Sequence, residues 1–192
     1  MKKEEKICKV FGIETKLTYL KLEKSDKKLR KKLFDSWNIL NKGLKNYNAR
    51  GANLPEGISE VAFCLATGSV RYLEAKPTHS KEKIKQSFDT YNLKTQETEQ
   101  IKACSVEYDL TSFGPKSKRD KLYFLDFYRD GKMDGSFDVY LIPNKYITGA
   151  NVNKGQKFTD QQGEKRRPRF SIKKEIIGPK KIQPILKNVK VW

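Results

Sequence analysis

From Lys27 to Tyr47 apolar side chains return every three or four positions, at Leu29, Leu33, Phe34, Trp37, Leu40 and Leu44. That spacing predicts an amphipathic helix with a lysine-rich, solvated outer face. The next segment, ARGANLPEGISEVAFCLATG, opens with turn residues, places Pro55 at a first helical turn and repeats Ile58, Val61, Ala62 and Leu65 up to Gly68. It predicts a second helix that carries Glu56 and Glu60 one turn apart on one face. After a polar stretch at 74–86 the pattern changes. Phe88–Tyr91 and Glu99–Val106 read as strands joined through Asn92-Leu93-Lys94-Thr95, and LYFLDFY at 122–128 is the near-continuous apolar run of a strand covered on both faces. DGSFDVYLIP at 134–143 predicts another strand, and RFSIKKEII at 169–177 a late or edge strand. Helices first, strands next and a basic irregular tail last describe an α/β or α+β domain around a mixed sheet. No internal repeat or Ser/Gly linker interrupts the chain. Residues 1–192 therefore read as one domain, with a helical part at about 1–70, a sheet at about 84–143 and a basic part at about 144–192.

Composition supports a folded core. The 192 residues are 36% hydrophobic and include 10 Phe, 9 Tyr and 2 Trp, which a disordered basic tail would lack. No apolar run approaches the length of a membrane-spanning helix, and MKKEEKICKVFG is no secretory signal, so a cytoplasmic protein is expected. Cys8, Cys64 and Cys104 are odd in number and widely spaced, and read as reduced packing residues. The single histidine, His79, lies in the polar loop AKPTHSKEK and reads as solvated. One imidazole excludes metal sites that need two or more, and no P-loop or dinucleotide glycine motif is present, so no organic cofactor is expected.

Lys and Arg total 41 against 23 Asp and Glu, a formal charge of +18. Residues 1–50 carry +9 of it and residues 144–192 carry +10, while residues 51–143 stand at −1. Basic ends around a near-neutral centre suit an enzyme that grips a polyanion and keeps carboxylates between the grips. Lysine-rich codon usage would raise the total as well, since only 8 of the 41 are Arg.

The segment SFDTYNLKTQETEQIKACSV carries the chemistry. A hairpin centred between Lys94 and Thr95 sets Asp89 opposite Gln100, with Cβ atoms about 4.5–5.5 Å apart. Alternation then puts Gln100 and Lys102 on one face and sends Ile101 into the core. A carboxylate and an amide oxygen can share a Mg²⁺ ion, and a neighbouring lysine can orient or deprotonate a water; phosphodiester hydrolysis needs that combination. Glu60 offers a third oxygen. Glu56 is the alternative, although its place at a helix start equally suits a dipole cap. Asp109 reads as ordering the TSFGP loop. By itself the Asp89-to-Lys102 string also fits an ordinary surface hairpin.

Asp89, Gln100-Ile101-Lys102 and the Glu60 helix together resemble the PD-(D/E)XK nuclease core in a Gln-x-Lys variant. Over roughly residues 50–180, NLPEGISEVAFCLATG, SVEYDLTSFGPKS, KLYFLDFYRDG, GSFDVYLIP and RRPRFSIKK resemble the Bsp-six-I family of type II restriction endonucleases. The resemblance implies an α/β restriction-endonuclease-like core, a mixed central sheet flanked by helices. It implies Mg²⁺-dependent double-strand cleavage of DNA, with Mn²⁺ able to substitute, by a homodimer. The implied site is GCNGC, cut after the first GC to leave a one-base 5′ overhang. Asp89, Gln100, Glu60 and the Ile101 backbone carbonyl would hold the metal, and Lys102 would assist the water. Gln100 stands where the commoner pattern has an acid, which removes one negative charge and leans the metal further on Glu60.

Three of the eight arginines, Arg166, Arg167 and Arg169, cluster around Pro168 beside Lys165. Arginine suits bidentate contact with guanine O6 and N7, and a phosphate clamp is the plainer use of the same cluster. Thr111, Ser112 and Lys116 follow the catalytic strand closely and are candidates for DNA contact, with Asn53 and Arg50 behind them; Gly114-Pro115 also fits a simple turn. Two other readings remain open on the residues alone. One is a junction resolvase or repair endonuclease of the same superfamily. The other is a non-catalytic nucleic-acid-binding protein.

Overall fold

The chain opens with two nine-residue strands, β1 (Lys2–Val10) and β2 (Ile13–Lys21), paired antiparallel without a break from Lys2↔Lys21 to Val10↔Ile13. Phe11 and Gly12 form the two-residue turn with φ of 52° and 82°, the doubly positive geometry whose twist matches paired strands. This corrects the helices-first order. The strands' outer positions are mostly Lys and Glu, with Ile7 and Ile13 also exposed, and buried positions are confined to Cys8, Val10, Thr15 and Leu17 to Tyr19. Too few apolar residues alternate for the pattern to show, and the Phe-Gly turn was the readable signal. The computed structural model describes residues 1–79, 87–107, 109–153 and 155–192. The latter part of the polar stretch at 74–86, and the expected start of the sheet near 84, lie outside the described residues.

Helix α1 (Lys27–Asn46) buries Arg30, Phe34, Trp37 and Asn41. Leu29, Leu33 and Leu40, expected on the same face, are 45%, 49% and 55% exposed, because the apolar stripe is wider than the strip that the sheet covers. Trp37 Nε1 donates to the carbonyls of Ala52 and Asn53 at 3.1 and 3.0 Å, which pins the link to helix α2 (Glu56–Thr67). Gly68 ends α2 at φ 80°, its N–H on the Cys64 carbonyl at 2.8 Å.

Next come β3 (Val70–Pro77), β4 (Thr90–Asn92), β5 (Glu97–Cys104), β6 (Thr111–Ser112), β7 (Lys121–Asp126) and β8 (Ser136–Ile142). The last strand, β12 (Leu186–Lys190), returns to pair with β8. Eight strands form one sheet in the order β1-β2-β3-β4-β5-β7-β8-β12, antiparallel except for the parallel β5–β7 pair. It is a mixed sheet flanked by helices, consistent with a restriction-endonuclease-like core. Among the described residues no helix is long and apolar enough to cross a membrane.

Strand β7 shows why both faces matter. Tyr123 and Leu125 pack with Phe34, Trp37, Ile58 and Phe63 of the two helices; Leu122 and Phe124 pack with Phe113, Ile147, Phe158 and Phe170 on the opposite side. The second layer comes from the segment read as an irregular tail. It folds into α3 (Asn144–Thr148), the β9 (Asn151–Asn153) and β10 (Gln156–Lys157) hairpin, α4 (Phe158–Gly163) and β11 (Arg169–Phe170), which pairs with β6. The strand expected over 169–177 stops at Phe170. Ile172, Ile176 and Ile177 are buried at helical spacing, and Lys173–Ile177 forms a helical turn. The chain end closes the first layer. Gly135 (φ 78°) lies against the Trp192 ring, where a Cβ would collide with the indole.

Candidate active site

A cleft of about 980 Å³ opens just before β4 begins, beside β5. The β4–β5 register runs Thr90↔Glu99, Tyr91↔Thr98 and Asn92↔Glu97, as a loop centre between Lys94 and Thr95 requires. The ladder stops one residue short of Asp89 and Gln100. Asp89 N–H returns to the Glu99 carbonyl at 2.9 Å, and its Oδ2 accepts the Ile101 N–H at 2.7 Å. A side-chain carboxylate thus takes over the next strand donor, which holds it at the cleft floor. The N–H and C=O of one strand residue face the same edge, so the Ile101 carbonyl also faces Asp89.

Gln100 is buried, and its Nε2 donates to the Ser87 carbonyl at 2.9 Å. Its Oε1 has no hydrogen-bond partner among the described residues. An orphaned buried amide oxygen costs about 1–3 kcal/mol, so one left unsatisfied beside a carboxylate fits a hard cation or a donating ligand. No three His, Cys, Asp or Glu side chains converge as a metal cage among the described residues. The donors that do fit are Asp89, Gln100 Oε1 and the Ile101 carbonyl, with Glu60 behind them.

Lys102 extends beside Asp89, with Nζ 5.6 Å from the centroid of the Phe113 ring. That ring stacks on Phe170 at 5.6 Å and meets Phe158 edge-on at 5.3 Å, so the C-terminal layer sets the lysine's floor. Burial holds the ammonium below its usual pKa, aided by Arg119 and Arg167 and opposed by Asp89 and Glu56. Arg119, which the residue patterns did not single out, lies over the same ring at 5.3 Å. Burial raises the Asp89 pKa against the pull of the Ile101 N–H and Lys102.

Glu60 lines the cleft from α2 but is already engaged: Arg71 Nε on β3 lies 2.6 Å from its Oε2. Burial first, then the Asp89 charge, push its pKa to about 7 against the pull of Arg71. Glu56, exposed one turn earlier, lines the same cleft. Arg71 was not legible as a partner, since nothing in a strand's spacing indicates which helix residue it will face.

The expected DNA contacts divide. Asn53, Thr111, Ser112, Lys116 and Arg167 line the cleft. Arg169 lines an adjoining hollow with Leu110. Arg166 turns instead to Glu164 at 3.2 Å, and neither Lys165 nor Arg50 reaches the cleft lining.

Comparison with known proteins agrees with the geometry. Residues 22–179 match the model of the Bsp6I restriction endonuclease family. The chain is 36% identical over 172 residues to the type II restriction enzyme Bsp6I of Bacillus sp. (strain RFL6), covering 88% of this chain and 91% of that protein. No solved structure matches. A match across the whole cleft-bearing region, from α1 to the turn after β11, leaves one assignment: the chain belongs to the Bsp6I restriction endonuclease family and is a type II site-specific deoxyribonuclease.

Proposed function

We propose that the protein makes Mg²⁺-dependent double-strand cuts at GCNGC, after the first GC, leaving a one-base 5′ overhang, and that it acts as a homodimer in the cytoplasm. The observation that carries the metal-dependent chemistry is the Asp89–Ile101 hydrogen bond, which holds a carboxylate in the cleft that Lys102 and Gln100 also line, the Gln100 oxygen having no partner among the described residues. Asp89, Gln100 and the Ile101 carbonyl would hold the ion, with Glu60 joining if it leaves Arg71. Mn²⁺ offers the same oxygen-ligand chemistry. An ion held there would supply Lewis-acid polarisation of the scissile phosphoryl group and would make a nearby water easier to deprotonate.

The chain's own groups supply the rest. Lys102, kept partly desolvated on Phe113, orients the attacking water and balances charge that develops on the phosphoryl oxygens. Asp89 keeps that lysine close and is itself kept in place by a backbone donor. Arg167 and Lys116 grip phosphates at the cleft wall, Ser112 and Asn53 supply neutral hydrogen bonds, and the buried Thr111 anchors the strand that presents Ser112. Arg169 reads or grips from the adjoining hollow, and Arg50, Lys165 and Arg166 contribute field at longer range. Among the described residues one chain brings together one such constellation, so cutting both strands of a palindrome calls for two copies.

Incubating a sequenced plasmid with Mg²⁺, with an EDTA control, and sequencing the ends tests the reading. Discrete fragments ending at GC/NGC are expected. Random ends, or cleavage confined to branched DNA, would overturn it.

A further inference from the structure

Strand β6 forms part of the cleft wall and pairs with β11, which borders the adjoining hollow, as a two-stranded ribbon whose sidedness is clear. In β6 and β11, Thr111 pairs with Phe170 and Ser112 with Arg169. Thr111, Phe170 and the preceding Pro168 are buried, whereas Ser112, Arg169 and Arg167 are exposed. One face of the ribbon is therefore anchored in the core and the other presents a hydroxyl and two guanidinium groups. A two-stranded ribbon is one of the two elements that the DNA major groove admits.

Asp109 enters this ribbon two residues before Thr111 and lines the cleft with Asp89 and Lys102. Burial lifts the pKa of its half-buried carboxylate, opposed by the backbone amides of Leu110 and Ser105 and by the charges of Arg50 and Arg169. A carboxylate cannot bind phosphate, and in a polyanion-binding cleft it costs repulsion. Flanking arginines offset that cost, and a carboxylate offers about four lone-pair sites, so acceptor capacity remains beyond the two backbone amides. Among groups of a G·C pair in the major groove, only the cytosine N4 amine donates a hydrogen bond; guanine presents the acceptors O6 and N7. An acid beside Arg169 and Ser112 is therefore matched to a C next to a G.

We propose that Asp109 is a specificity-determining residue, accepting a hydrogen bond from a cytosine N4 amine while the β6–β11 ribbon lies in the major groove. This rests on the restriction reading above, with a target made of G and C. The plainer role is that Asp109 merely ties the 105–110 turn, and the two roles part in experiment.

The test is Asp109→Asn, which keeps the side chain's shape and one acceptor oxygen but brings an amide donor towards the amine. Affinity is measured with Ca²⁺ in place of Mg²⁺, for a duplex carrying GCNGC, for each single-pair variant of it and for a duplex without the site. The expected result is an affinity loss of about 10- to 100-fold for the GCNGC duplex. Discrimination should collapse at one cytosine position, with affinity for the site-free duplex unchanged or higher. Asp109→Ala should relax the same position. Wild-type discrimination retained at every position, or proportional weakening on all duplexes with a lower melting temperature, would overturn the proposal and leave Asp109 a turn-forming residue. If the wild-type protein itself shows no preference for GCNGC, the target reading fails, and the cytosine assignment with it.

Discussion

Arg71 Nε lies 2.6 Å from Glu60 Oε2, and this contact separates the two acids that α2 sends to the cleft. Glu60, 9% exposed at its side chain, is paired, whereas Glu56 stays exposed at the mouth. The pair makes Glu60 a carboxylate that a cation must win from an arginine. Arg71→Met keeps the stem and removes the charge. The variant should lose on the order of 1–3 kcal/mol of stability at pH 8 without metal, because a mostly buried carboxylate is left without its partner. Millimolar Mg²⁺ should then raise its melting temperature more than it raises that of the wild type. Equal Mg²⁺ shifts in the two proteins would remove Glu60 from the metal site.

The pH dependence follows from the same residue. Burial lifts the Glu60 pKa to about 7 in the folded protein, above the 4.5 of a free glutamate. The native state therefore binds more protons than the unfolded chain between these values, and stability at this site falls as pH rises from about 4.5 to about 7. Glu60→Gln removes the titration. In EDTA, the variant's melting temperature relative to wild type should climb across that window and level off above it. A difference that stays flat with pH would contradict the buried-acid assignment.

Asp89→Asn and Lys102→Ala separate chemistry from binding. Each should cut cleavage by at least the 10²–10⁴-fold typical of a lost acid–base or charge-stabilising group, while DNA affinity in Ca²⁺ changes little. Asp89→Asn retains an acceptor for the Ile101 N–H, so a folding defect is not expected to mask the result. Near-normal cutting by either variant would sink the assignment.

Arg167 and Arg166 differ by one position and should differ in effect. Arg167 faces the cleft, and Arg166 is held by Glu164 on the outside. Arg167→Ala should weaken binding and reduce the slope of log affinity against log salt by about 1, whereas Arg166→Ala should move it less. Equal slopes for the two would place the duplex elsewhere on the basic surface.

Much of this site is written in short-range spacing. The hairpin centre between Lys94 and Thr95 sets the Thr90↔Glu99 register, and the alternation of Gln100, Ile101 and Lys102 assigns each its face, because pairing across a tight turn depends on counting alone. Gly68 marks the end of α2 because only its φ of 80° closes the helix cheaply there. The family, too, is legible in the chain, through strings such as SVEYDLTSFGPKS and RRPRFSIKK.

What the tertiary structure decided lies between residues that no local period connects. The opening β1–β2 hairpin and the returning β12 edge extend the sheet at both ends, although their residues alternate too weakly to declare it. Phe158 and Phe170, in a segment that reads as a basic tail, meet Phe113 and so build the floor beneath Lys102. Arg71 claims Glu60, Asp89 turns its carboxylate to Ile101 N–H, and Asp109 settles among arginines from separate segments. Periodicity states which side of its own element a residue occupies. The partner it meets there is set by packing of whole layers, and in a buried cleft that partner determines whether a carboxylate is paired, protonated or free to act.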